Sequence, residues 1–159
     1  DLATEIAVKI AFVTVYRYTQ TVRQVWKAGR LQSFDCETDD NGDKRTVQAR
    51  STPAGLEVTA PHGRYVAPAD TVPTGYWNAD ILRRREALDS NGKLVPFAFE
   101  PAGTRTVQVD GRPVEVRLHK ISGGADGEVG YAPDGTWVSL ALNERGNDIS
   151  YRRLPQARR

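Results

Sequence analysis

Residues 37–44 read Glu-Thr-Asp-Asp-Asn-Gly-Asp-Lys, the densest run of potential metal-ligating oxygens in the chain. A calcium loop of the EF-hand type needs acidic or amide oxygens at its first, third and fifth positions, glycine at the sixth and a bidentate glutamate at the twelfth. With Gly42 as the sixth, Glu37, Asp39 and Asn41 fill the first three roles, but the twelfth falls on Gln48, which cannot chelate with two carboxylate oxygens. The residues after the loop alternate as a strand does and carry no helical stripe. Asn41-Gly42 accepts positive φ at both central turn positions, the requirement of a tight hairpin. The pattern therefore predicts a hairpin tip between strands over 30–38 and 44–51, with no bound metal.

Other chemistry is sparse. His62 lies in a proline-containing stretch, and His119 lies near a strand end, out of phase with Val114, Val116 and Leu118. Neither has a partner at the spacing of a His-x-x-x-His or Cys-x-x-Cys site. There is no Gly-x-Ser-x-Gly elbow, and Gly123-Gly124 leads into a strand where a phosphate loop would lead into a helix. Carboxylates concentrate at turns, where aspartate is expected on conformational grounds. Cys36, the one cysteine, is flanked by Asp35 and Glu37, which raise a thiol pKa, so a small buried hydrophobe is the expected role. No catalytic residue and no cofactor is assigned, and the chain is expected not to be an enzyme.

The 22 basic residues nearly balance 20 acidic ones, so the net +2 does not point to nucleic acid. Arg83-Arg84-Arg85 and the tail arginines Arg152, Arg153, Arg158 and Arg159 read as solvated charge. The absence of methionine leads us to expect a processed or trimmed chain. No apolar stretch is as long as a membrane-spanning helix, since Ile6 to Val15 is interrupted by Lys9 and Thr14.

The elements that must position any site are strands. From 4 to 27 the even positions carry Ile6, Val8, Ile10, Phe12, Tyr16, Tyr18, Val22 and Trp26, and the odd ones Lys9, Arg17, Thr19, Thr21, Arg23 and Lys27 with small or branched residues between, a period of two. Extended, this run would reach roughly 75 Å, whereas a domain of this length has a radius of gyration near ~15 Å. It must bend or fold back, and Tyr16 to Gln20 is the expected place. Further strands are predicted over 56–60, 93–100, 104–109, 113–121, 127–132, 136–143 and 148–154. Their turns are Ala28-Gly29, 52–55, Asn91-Gly92, Asp110-Gly111, Gly123-Gly124, Asp134-Gly135 and Gly146-Asn147. Residues 61–75 read as a loop, and 76–88 as the only helix candidate, with Asn78 as its cap. Evenly spaced strands joined by turn residues predict an all-β fold with at most one short helix: a curled antiparallel meander, half-barrel or barrel, in one domain over 1–159.

Aromatic residues are spread along these strands. Most are expected to be core, but a curled sheet can also hold a small apolar ligand. Tyr76 and Trp77, beside the proline-containing loop, suit a rim. Ile10, Phe12, Tyr16 and Trp137 complete the expected ligand-binding set.

Trp26-x-x-Gly29-x-Leu31, Thr38 to Gly42, Tyr76-Trp77-Asn78 and Gly135-x-Trp137-Val138 together resemble the pattern of an uncharacterised family of exported proteobacterial proteins. The resemblance covers nearly the whole chain and carries no catalytic meaning. Members of that family begin with a further strand or hairpin, which implies that this chain lacks one. The family is similar to the half-barrel of periplasmic lipoprotein carriers, whose concave face holds acyl chains. The resemblance implies a periplasmic, non-enzymatic module that binds a hydrophobic small molecule or lipid. The alternative is an accessory subunit docking on the periplasmic face of a membrane protein complex.

Overall fold

The computed structural model describes residues 2–10, 13–109, 111–123, 126–144 and 147–152, with side chains over 17–109, 111–123 and 126–143. Phe12, Asp110, Gly124, Gly146 and the tail arginines beyond Arg152 lie outside the described residues, as do the side chains of Ile10 and Tyr16. The chain is all-β, with antiparallel sheets, one of them curled like a half-barrel, and one short 3-10 turn among the described residues. It divides into two compact units, one of residues 1–73 with 88–94 and one of residues 74–87 with 95–159.

The first unit is a six-stranded meander of β1 (Leu2–Ile10), β2 (Val13–Lys27), β3 (Arg30–Asp40), β4 (Asp43–Thr52), β5 (Gly55–Ala60) and β6 (Gly63–Ala67), each strand pairing with the next. The long first run does fold back, but between Ile10 and Val13 and not at Tyr16 to Gln20. Tyr18 to Lys27 are needed whole to pair with β3, so a break there would cost the central ladder its hydrogen bonds. Residues 63–67 form an edge strand where a loop was expected. Pro61-His62 makes a two-residue connection, and Arg64, Tyr65, Val66 and Ala67 alternate outward and inward.

Register builds the core of this unit. Val22, Cys36 and Val47 are direct cross-strand neighbours, as are Phe34, Ala49 and Val58 in the adjoining row. All six are buried, and with Leu31, Leu56 and Ala67 they form one apolar cluster. A bulge at Val25/Trp26 sets Val25 opposite Ser33 and Trp26 opposite Leu31. The extra residue, Gln32, shifts the phase of β3, so that Leu31 and Phe34 both face inward although they are three apart, while Val25 is turned out.

Residues 88–94 close this core. Leu88 is wholly buried among its residues. The bend that follows is tied by Asp89, whose Oδ1 accepts from the backbone of Asn91 (2.9 Å) and Lys93 (2.7 Å). Gly92 is buried at φ 77°, and a Cβ there would lie 2.5 Å from the Ala60 Cβ. The Tyr65 hydroxyl donates to the Gly92 carbonyl at 2.8 Å.

The second unit, with Leu88 and Leu94 at its strand ends counted to the first, holds a second meander, β7 (Glu86–Leu88), β8 (Leu94–Val109), β9 (Arg112–Gly123), β10 (Asp126–Tyr131), β11 (Trp137–Glu144) and β12 (Asn147–Arg152). The two strands expected over 93–100 and 104–109 are one strand, β8, irregular between Pro101 and Thr104. The helix expected over 76–88 contracts to a 3-10 turn at Ala79–Arg83. Asn78 caps it by accepting from the Asp80 backbone at 3.0 Å. Of its residues only Ile81 is buried, too little apolar surface to hold a longer helix.

Two turn positions make opposite demands. Ala28 holds φ 48° between Lys27 and Arg30, a conformation that costs an alanine about 1 kcal/mol and an asparagine less. Ala28→Asn is expected to raise stability by up to about 1 kcal/mol in urea unfolding. Gly92→Ala, which combines positive φ with a clash against Ala60, is expected to lower it by at least about 2 kcal/mol in the same measurement.

Candidate functional site

The acidic run at 37–44 is the tip of the β3–β4 hairpin. Asp40 pairs with Asp43 across Asn41 (φ 55°) and Gly42 (φ 98°), and the Gly42 amide donates to Asp39 Oδ1 at 2.7 Å. Asp40 accepts from Arg45 at 3.1 Å, and Asp43 lies 3.8 Å from the same guanidinium. Arg45 also donates to the Asn91 side chain at 3.1 Å. Asp39, one of the residues that resembled calcium ligands, thus fixes the turn, while its neighbours Asp40 and Asp43 neutralise an arginine.

Behind the tip the inner face turns polar before it turns apolar. Gln20, Thr38 and Arg45 form the cross-strand row next to that of Val22, Cys36 and Val47, and Tyr18 stands in the row beyond, its hydroxyl accepting from Gln20 Nε2 at 2.9 Å. Burial raises the pKa of Tyr18, against a hydrogen bond with Thr38 that lowers it. Burial likewise pushes the Cys36 thiol up, Thr38 offsets this in part, and the carboxylates of Asp89 and Glu37 add to the rise. Cys36 is a packed thiol with Sγ 3.8 Å from Thr38 Oγ1, the opposite of an activated nucleophile.

The second unit carries the aromatic constellation. β9 alternates two buried faces: Val116 and Leu118 belong to one, Ile121 to the other, and both Val116 and Ile121 are fully buried. On the Ile121 side, cross-strand pairing aligns Phe99 with Ile121 and His119 with Val129. Phe97 and Phe99 stack at 6.0 Å between centroids, and the Tyr76 ring meets Phe97 edge-on at 6.3 Å. The segment bearing Tyr76 is clasped to the sheet by the Tyr131 hydroxyl, which donates to the Tyr76 carbonyl at 2.5 Å. Burial raises the pKa of Tyr131, and the neighbouring Tyr76 adds to the rise, so the phenol remains the donor this clasp needs.

Trp137 pairs with Tyr131 across a bulge at Gly130/Tyr131, which aims its side chain off the regular alternation. The indole nitrogen is buried and has no hydrogen-bond acceptor among the described residues. An unsatisfied buried donor costs about 1–3 kcal/mol. Trp77, next to Tyr76, is 51% exposed.

Of the residues nominated from sequence, Tyr76, Trp77 and Trp137 belong to the second unit, and Ile10 and Tyr16 to strands of the first. Phe97, Phe99, His119 and Tyr131 were not nominated, yet they build the face on which Tyr76 rests. The Phe-x-Phe spacing of 97 and 99 was a visible signal of a shared face. The placement of Tyr131 was not visible, because it follows from the Gly130 bulge and the loop 74–78.

The chain belongs to a family of uncharacterised proteins: the model of the domain of unknown function DUF6134 matches residues 1–154. No curated protein and no solved structure matches it.

The His119 ring packs edge-on against Tyr131 at 6.3 Å. Burial, then the Arg117 guanidinium, holds its pKa below the ordinary value. The folded state therefore takes up the proton less readily than the unfolded chain. The resulting stability is complete above the unfolded value, near ~6.5, and is lost as pH falls through the lower folded value. The stability difference between wild type and His119→Gln is expected to be flat above neutrality. It should shift against the wild type as the pH of a urea titration is lowered below about 6.5.

Proposed function

We propose that this protein is an exported, periplasmic, non-enzymatic module that holds a hydrophobic ligand, a lipid in our reading. The observation that carries this is the ladder of Tyr76, Phe97 and Phe99 on one sheet face, beside a tryptophan left half-exposed. Tyr76 and Phe99, half-buried and packed on the buried Phe97, present apolar area to a partner without a large loss of side-chain entropy. Each methylene of an acyl chain buried there would contribute about 0.8 kcal/mol. The resemblance to periplasmic lipoprotein carriers supports the same ligand class and the same compartment. The second reading, an accessory subunit that docks on a membrane protein complex, is favoured by Val66, 55% exposed on β6 at the end of its sheet. Strands in that position accept an added strand from a partner.

Native mass spectrometry of the protein released gently from its own periplasm separates the two. A co-purifying mass of lipid size is expected. A clean ligand-free monomer would transfer the proposal to the docking subunit.

A further inference from the structure

We propose that Asn41, at the β3–β4 turn, is a site of spontaneous covalent modification. Its side-chain amide is lost through attack by the Gly42 nitrogen, while Asn91, in the same dipeptide, is protected. The proposal does not depend on what the protein binds.

The chain contains two Asn-Gly dipeptides, 41–42 and 91–92. Asparagine is a labile residue, and glycine adds no side chain to crowd the attacking nitrogen. That nitrogen attacks the asparagine Cγ, and the new N–Cγ bond closes a five-membered imide. The Cγ–Nδ2 bond breaks, and the proton given up by the glycine amide leaves with ammonia. Water then opens the ring at either carbonyl, giving aspartate or isoaspartate. Both dipeptides hold the atoms for this, so their surroundings decide between them.

At Asn91 the surroundings oppose ring closure. Its Nδ2 donates to Asp89 Oδ2 at 3.2 Å, and its Oδ1 accepts from Arg45 at 3.1 Å. The Gly92 nitrogen donates to the Asp89 carbonyl at 3.1 Å, and Gly92 is buried against Ala60 and Val47. Closing the ring would break three hydrogen bonds among packed side chains. At the other dipeptide both residues are exposed. The hydrogen bonds it donates among the described residues come from its main-chain nitrogens, Asn41 to the Arg17 carbonyl at 2.7 Å and Gly42 to Asp39 Oδ1 at 2.7 Å. None holds the Asn41 side chain, and only the Gly42 bond stands in the way of attack.

The product forms where register is set. Isoaspartate carries the main chain through its Cβ, which lengthens a turn that joins Asp40 to Asp43 in two residues. Either product adds a carboxylate beside Asp40 and Asp43, which already share Arg45. Conversion at Asn41 therefore loosens the pairing of β3 with β4.

The test incubates the folded protein, and the same chain unfolded in guanidinium chloride, at mildly alkaline pH. Peptide mapping by mass spectrometry then follows the exchange of amide for acid at both sites. In the unfolded chain the two are expected to convert alike. In the folded protein Asn91 should convert at least about tenfold more slowly than Asn41, since two further hydrogen bonds must break. Equal rates at the two sites of the folded protein, or faster conversion at Asn91, would overturn the proposal. So would a folded protein silent at both sites while the unfolded chain reacts. Asn41→Gly keeps a sequence suited to the turn and removes the amide. It should hold its urea stability through the incubation, while wild type loses stability in step with conversion at Asn41. An equal loss in the variant would overturn the link to register.

Discussion

The inner face of the first unit exists because Asp40 is opposite Asp43. Two residues between them, both at positive φ, fix the pairing of β3 with β4, and that pairing puts Cys36 beside Val47 and Phe34 beside Ala49. A slip of one residue would turn Val47 and Ala49 to solvent and bring Thr46 and Gln48 inside. Arg45 reinforces the register by gripping Asp40, and it reaches Asn91 in the segment that closes the core. The turn thus connects to packing through charge. Within the acidic run, the carboxylates of Asp39, Asp40 and Asp43 hold the hairpin.

In the second unit the constraint is different. β9 buries Val116 and Leu118 on one face and Ile121 on the other, so no single side of it is the outside. Such a strand needs cover on one face at Val116 and Leu118 and on the other at Ile121, while Glu115, Arg117 and Lys120 stay exposed. The loop 74–78 and the 3-10 turn supply it on the Ile121 side, where Tyr131 fastens Tyr76 and the Gly135 position approaches Ala79.

The sequence disclosed the strands because alternation is a local property. It disclosed the tight turns because Asn-Gly and Ala-Gly state their conformation in two residues. It disclosed the Asn78 cap for the same reason. Features that depend on partners escaped it. The bulge at Val25/Trp26 arises from what β3 offers to β2, and neither strand alone contains it. The early fold-back after Ile10 has no glycine or proline to announce it and is set by the length β2 must devote to β3. The aromatic face was half legible. Tyr76 and Trp137 could be nominated by type, but their common neighbour Tyr131 could be found only after the chain had brought position 131 to the carbonyl of residue 76.

The first unit is not a continuous stretch of chain. Its six strands are complete by Ala67, yet Leu88 and Gly92, which belong to its interior, come only after the residues that form the start of the second unit. During synthesis the six-stranded sheet therefore emerges with part of its apolar face uncovered, and it stays so until the ribosome has released residue 94. The two units cannot mature one after the other as beads on a string. They ripen in alternation, each waiting on a piece of sequence that lies beyond part of its neighbour. No single cut of the backbone can separate them and leave both whole.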